Sequence, residues 1–320
     1  MYQPMRSDFA KFFRTSRKPF DLASPEFRLM LAVCAGDEEA AATLFEDTMQ
    51  FDSAPSALDA PHGRFEGKAG VRALVRQWNE SFHTTRTQID PVVQTRAGGR
   101  SASELVVDFY RGEELFMQFP MIIVGDIREE NRLDNARLYF HFGQAPGFNP
   151  YRKPMFRSQH LTPASPNLLT GVVRAYFEAL HRYPHADAER LKTLGSDHMI
   201  LGGYFPGDQC RVLSPEESRE HMSEFADKVS AYIPLYLDIR PETIIDDGIT
   251  CVVEWVHVIH REGREKAHRL CESGISVYER DEKGFLRSVR ILDYANCEDQ
   301  IDWTKESITK EEAERINYIG

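Results

Sequence analysis

Asp52 closes the run FEDTMQFD at 45–52 and stands just before PHGRFEG at 61–67, a corner with a glycine at each end of its RFE core. An aspartate held there in an apolar cavity would take a proton from the carbon beside a carbonyl, or activate a water. A strand-end aspartate that caps the following turn is the alternative. Asp108 and Tyr110 share ELVVDFYRG, and residues two apart on a strand point the same way. If their face lines a cavity, Asp108 would donate a proton while Tyr110 steadies an oxyanion. At a sheet edge an arginine such as Arg137 would hold the pair instead. Glu254, in CVVEWVHVI, is the inward candidate of the second half, with a salt bridge to Arg269 or Arg287 as its alternative. His62 and Glu66 lie in the corner loop and would supplement these roles or stay solvated.

Other chemistries lack their residues. There is no Walker loop and no GxGxxG, so a nucleotide has no phosphate cradle. A GxSxG nucleophile elbow is absent. His257, His260 and His268 do not have HxH or HExxH spacing, and Pro184 breaks the helix that would align His181 with His185, so neither a metal nor a cofactor is expected. A net charge of −11 repels a polyphosphate backbone, which excludes nucleic acid as an expected partner. The longest apolar runs, such as FPMIIV at 119–124, fall far short of the ~18 residues of a membrane span. The five cysteines are scattered without a CxxC pair, which reads as reduced thiols in a cytoplasmic protein. The basic segment 1–20 has no continuous apolar core, so an arm that packs on the body is expected there, with a transit peptide as the alternative.

The elements that must position these side chains occur twice, displaced by about 150 residues. FRLMLAVCAG and LLTGVVRAYFEALHRY open the two copies as helices, and DEEAAATLFED and HADAERLKTLG follow as short helices. Next come the strands TMQFDS and HMILGGYF, each with a glycine-bearing loop, and the third helices GKAGVRALVRQWNESF and SPEESREHMSEFADKV. Ser214, Pro215 and Glu217 form a capping box at the start of the latter. Each half then reads as strand to its end, with hairpin turns at RAGGR, DDG and DEKG. The strings VVDFY and VVEWV align Asp108 with Glu254. Residues 143–167, rich in proline and glycine, read as the linker.

Both alternating faces of CVVEWVHVI are largely apolar, whereas a sheet with one wet face would alternate cleanly. Both faces must therefore be covered, one by the helices of the same half and the other, most cheaply, by the sister sheet.

This succession resembles the nuclear transport factor 2-like superfamily, and the first half resembles its SnoaL-like branch. The likeness is carried by AGDEEAAATLFEDTMQFD, GRFEGKAGVRALVRQW, VVRAYFEALHRYPHAD and GISVYERDEKGFLRSVRILDY. It implies an α+β fold of two tandem cone-shaped barrels, each with three helices wrapped by a curved antiparallel sheet, packed sheet to sheet as a pseudo-dimer and open to homo-oligomerisation. The expected bounds are an arm at 1–20, domains at 21–142 and 168–303, the linker at 143–167 and a tail at 304–320. In the family the glycine corner stands at the pocket mouth, and Gly63 and Gly67 are expected to supply backbone angles that a side chain forbids. Asp52 matches the general base of ketosteroid isomerase and Tyr176 its oxyanion-stabilising tyrosine. Asp108, Tyr110 and Glu254 complete the implied catalytic set, and His62, Phe65, Glu66, Trp78 and Tyr204 the implied ligand contacts. Neither half carries the whole isomerase set. The implied activity is cofactor-free acid–base chemistry, that of an isomerase, cyclase or epoxide hydrolase, on a small apolar molecule; a non-catalytic ligand-binding or interaction module is the alternative.

Overall fold

The computed structural model describes residues 18–46, 50–52, 64–140, 168–180, 187–203, 211–232, 237–260 and 269–293. The chain divides into two compact units, one carrying the first sheet and the other most of the second. In the first half α1 (Pro25–Ala35) and α2 (Glu38–Ala42) lead to β1 (Gln50–Asp52), β2 (Arg64–Glu66) and α3 (Gly67–Phe82). Four long strands follow: β3 (Arg86–Ala97), β4 (Arg100–Arg111), β5 (Glu114–Arg128) and β6 (Arg132–Tyr139). They form one sheet in the order β2-β1-β6-β5-β4-β3, antiparallel except where β1 meets β6. The second half has α4 (Gly171–Leu180), α5 (Ala188–Thr193), β7 (Gly195–Gly203), β8 (Arg211–Val212) and α6 (Pro215–Tyr232). Its long strands are β9 (Leu237–Asp246), β10 (Thr250–His260), β11 (Arg269–Arg280) and β12 (Leu286–Asp293), and its sheet order is β8-β7-β12-β11-β10-β9. The order of elements read from the sequence recurs in both halves, with one short strand added in each, β2 and β8, where the sequence reads as a glycine-bearing loop.

Local chemistry fixes the helix ends. The Asp37 carboxylate accepts from the Ala40 amide at 2.9 Å to start α2, and Asp187 does the same for Arg190 at 3.0 Å in α5. Both short helices are shorter than their sequence patterns suggest; in α2 the Thr43 hydroxyl donates back to the Ala40 carbonyl as the helix ends. The capping box of α6 is made in full: the Ser214 amide donates to Glu217 at 2.7 Å, and the Glu217 amide to the Ser214 hydroxyl at 3.2 Å. The corner before α3 needs its glycines for two different reasons. Gly67 turns at φ +60°, and a Cβ on Gly70 would stand 2.9 Å from the Phe65 carbonyl carbon. Gly63 lies outside the described residues.

In β10 every residue from Thr250 to Trp255 is buried, so both faces of that part of the strand are covered as expected, and in β4 the same holds from Ser101 to Phe109. The registers also repeat. Val124 faces Arg137 and Asp126 faces Asn135 in the first sheet, as Val277 faces Arg290 and Glu279 faces Ser288 in the second, and a bulge follows Asp126 and Glu279 alike. Counted on this frame, Glu104 opposite Ile122 matches Glu254 opposite Ile275. This corrects the alignment of Asp108 with Glu254. The local strings match, but pairing counted across the sheet sets position, and it places the two carboxylates four residues apart.

Candidate functional site

The helix side of the first sheet is set by rings. Phe109 of β4 stacks on Phe82 of α3 with centroids 4.2 Å apart and an 11° tilt, and it meets Trp78 at 5.9 Å. Trp78 touches Phe140 at 5.5 Å, and Phe119 sits edge-on to Phe82 at 6.1 Å. Strand alternation then puts Ser101, Ser103, Leu105 and Val107 on the α3 side with Phe109, and Glu104, Val106 and Asp108 on the other.

One carboxylate lies within this helix side. Glu26, in the first turn of α1, is fully buried. Its Oε1 accepts from Gln94 Nε2 at 2.7 Å, Ser101 Oγ at 2.5 Å and Ser103 Oγ at 2.9 Å. The Asp21 amide donates to Gln94 Oε1 at 3.2 Å, which fixes the orientation of that side-chain amide. Glu26 Oε2 is buried with no hydrogen-bond partner, and so is the Ser24 hydroxyl at the N-cap of the same helix. Gly125 makes the room: a Cβ there would lie 2.6 Å from Leu133 Cδ2 and 3.2 Å from Glu26 Cβ. Sequence reasoning missed Glu26. Its signal is that 26, 29, 30 and 33 form one helical stripe, in which Glu26 is the polar member among Leu29, Met30 and Val33.

The second half fills the matching positions differently. By register Ser101, Ser103 and Gly125 correspond to Cys251, Val253 and Tyr278. The amide of each short helix's N-cap donates back to the preceding helix, Asp37 to the Ala32 carbonyl at 2.9 Å and Asp187 to that of Ala179 at 2.8 Å, so Glu26 corresponds to Val173. Val173, Cys251 and Val253 are fully buried. Tyr278 packs against Tyr176 at 5.4 Å and Phe177 at 6.0 Å.

The residues singled out from sequence fall as follows. Asp52 ends β1 in register with Arg137 of β6 and Arg64 of β2, while its side chain lies outside the described set. His62 and Tyr204 lie outside the described residues. Phe65 and Trp78 are core, 3% and 2% exposed, and Glu66 is exposed at the entry to α3. Asp108 and Tyr110 do share a face, and it is the one turned from α3. There Asp108 is buried and accepts from Gln118, and Tyr110 is half-buried with the Arg86 guanidinium 4.0 Å above its ring. Tyr176 is buried in α4, and Glu254 is buried and accepts from the Thr243 hydroxyl.

Of the expected arginine partners, Arg137 and Arg287 are engaged with other acids, and the side chain of Arg269 lies outside the described set. Arg137, wholly buried, pairs with Asp126 at 2.8 Å, and Arg100 reaches the same carboxylate at 2.7 Å. Burial pushes the Asp126 carboxyl up, but the guanidinium groups of Arg137 and Arg100 together outweigh it and hold the group below its ordinary value. At the matching register Arg290 pairs with Glu279 at 3.1 Å, and Arg287 approaches Glu279 at 3.4 Å. Among the described residues no group of three or more His, Cys, Asp or Glu side chains could hold a metal ion, and no helix is long and apolar enough to cross a membrane.

The fold and site together define an α+β protein with an antiparallel sheet backed by three helices in each half. Solved structures similar to it include proteins described as putative polyketide cyclases, an epoxide hydrolase/cyclase-like enzyme and a nuclear transport factor 2-like protein. The epoxide hydrolase/cyclase-like enzyme SalBIII, of pyran-ring formation in the polyether salinomycin, is 16% identical, with 37% of this chain and 89% of that one covered and a TM-score of 0.28. A putative polyketide cyclase from Bacillus cereus is 9% identical over 36% of this chain and 71% of that one, with a TM-score of 0.30. A nuclear transport factor 2-like protein of unknown function from Cytophaga hutchinsonii is 9% identical over 40% and 96%, with a TM-score of 0.27. No protein-family model and no curated protein matches the chain.

Proposed function

We propose that the chain is a cofactor-independent acid–base enzyme, an isomerase, cyclase or epoxide hydrolase, that acts on a small, mainly apolar molecule on the helix side of its first sheet. The observation that carries this reading is Glu26: a buried carboxylate with three donors on one oxygen and none on the other, on the same side of the sheet as five packed aromatic rings. A core built for stability alone gains nothing from a half-satisfied carboxylate, whereas a catalyst needs a carboxyl oxygen left unpaired for its substrate. Glu26 takes and returns the proton. Asp52, the base that the resemblance implies, stands in register with Arg137, which faces Val124 on the side of the sheet away from α3, so the position puts it outside this chemistry. Asp108 and Tyr110, on the face away from α3, take no part in it, and Tyr176 and Glu254 belong to a supporting half. The tandem SnoaL-like domains, their sheet-to-sheet pairing as a pseudo-dimer, the cytoplasmic location and the absence of nucleic-acid and membrane partners are parts of the same proposal. Glu26→Gln and Asp52→Asn test the mechanism: the first is expected to lower turnover of an identified substrate at least about 100-fold and the second to leave it within a few-fold, and the reverse pattern would exclude the assignment. Two halves that fold as separate monomers would exclude the pairing.

A second reading, a non-catalytic ligand-binding or interaction module, is favoured by the ring-to-ring packing of Trp78, Phe82, Phe109, Phe119 and Phe140, which fills part of the helix side with protein. Ligand binding without turnover in any condition would select it.

A further inference from the structure

Two polar groups without partners lie in the first turn of one helix, Glu26 Oε2 and Ser24 Oγ, and both are fully buried. Buried polar atoms of this kind are rare because each costs the hydrogen bond it gave up in water. The rest of the Glu26 carboxylate is fixed from three directions, by Gln94, Ser101 and Ser103, so Oε2 cannot turn to find a partner without breaking those bonds. The absence of a side chain at Gly125 lets Glu26 and Leu133 approach the strand, since a Cβ there would meet Leu133 Cδ2 at 2.6 Å and Glu26 Cβ at 3.2 Å. The second half shows that the fold itself requires none of this, since Val173, Cys251, Val253 and Tyr278 occupy the matching positions.

We propose that this site binds the hydroxyl group of a small apolar alcohol or enol, and that only the first half carries it. This rests on the reading of the helix side as the ligand side, and deepens it by naming the ligand class. A hydroxyl is donor and acceptor at once, so it serves a carboxyl oxygen in either protonation state and can also pair with the Ser24 hydroxyl. A ketone or ether brings acceptors alone. An ammonium group brings three donors to a turn that offers two partnerless groups.

The test uses the full chain with two probes of similar shape, cyclohexanol and methoxycyclohexane, and binding is read by NMR titration without reference to turnover. Cyclohexanol is expected to bind at least about fivefold more tightly, the worth of one net hydrogen bond. That preference should disappear in Glu26→Gln and in Gly125→Ala, whose methyl group intrudes beside Glu26, and should persist in Tyr278→Phe. Ser103→Ala replaces Gly125→Ala if the latter fails to fold by its thermal melt. Equal affinity for the two probes would overturn the ligand class while leaving a pocket in place. An alcohol preference that survives in Glu26→Gln and the second variant would overturn the site. Absence of binding by either probe would overturn both the site and the ligand-side reading beneath it, and a water bound to Glu26 would then be the group's partner.

Discussion

At one register of the two sheets the chain has Gly125 in the first half and Tyr278 in the second, and the two do opposite things. Tyr278 packs its ring on Tyr176 and Phe177 and closes the space between sheet and helix. Gly125 leaves that space to the Glu26 carboxylate and its serine and glutamine donors. The comparison separates what the fold needs from what it does not. The carboxylate–arginine pairs are present in both sheets at the same register, so they belong to the fold. The polar cluster at Glu26 is present once, so it belongs to something else.

The largest expected effect would come from the shared feature. Arg137→Ala removes the wholly buried partner of Asp126 and leaves it Arg100 alone, and should lower stability by about 4 kcal/mol, with Arg290→Ala acting in the same direction on Glu279. Urea denaturation measures both, and a loss below 1 kcal/mol at both sites would remove the pairs from the common framework. The pH dependence has a definite sign. The Asp126 carboxyl is held below its ordinary value of 3.8, so its contribution is full above that value and is lost as pH falls through it to the lower folded value. Removing Arg137 should therefore flatten the acid limb of stability against pH.

Next in size is the exchanged position itself. Tyr278→Ala should cost about 3 kcal/mol by opening a cavity, and Gly125→Ala about 2 kcal/mol by overpacking against Leu133 and Glu26. The first should leave alcohol binding intact and the second should remove it; the reverse pattern would place the ligand in the second half. The smallest effects concern the third helices. Ser214→Ala breaks the capping box of α6 and should cost about 1 kcal/mol, whereas Glu66, which makes no side-chain cap at α3, should tolerate alanine within about 0.5 kcal/mol. Thermal melts distinguish the two.

Much of this framework could be read from the sequence, because it rests on local rules. Ser214 and Glu217 announce their capping box by spacing, Gly67 its positive φ by standing before a helix, and Val71, Leu74, Val75 and Trp78 their shared burial by periodicity. The site was far less legible. Which side of β4 faces α3 depends on where Phe109 meets Phe82, a contact between elements, so the sequence left open whether Asp108 and Tyr110 share the helix side, and they stand on the other face. The match of Asp108 to Glu254 failed for a related reason, since sheet register is counted through hairpins rather than through similar strings. Glu26 was overlooked because its meaning depends on Gly125 and Ser101, each about 75 to 100 residues away.

The central claim is that the first half alone holds a working site at Glu26, and a crystal structure of the protein soaked in cyclohexanol tests it most directly. The account predicts an ordered hydroxyl within hydrogen-bond distance of Glu26 Oε2, with no probe beside Tyr278. Probe bound against Tyr176 and Tyr278, or Glu26 Oε2 hydrogen-bonded to a protein donor with no probe beside it, would contradict it.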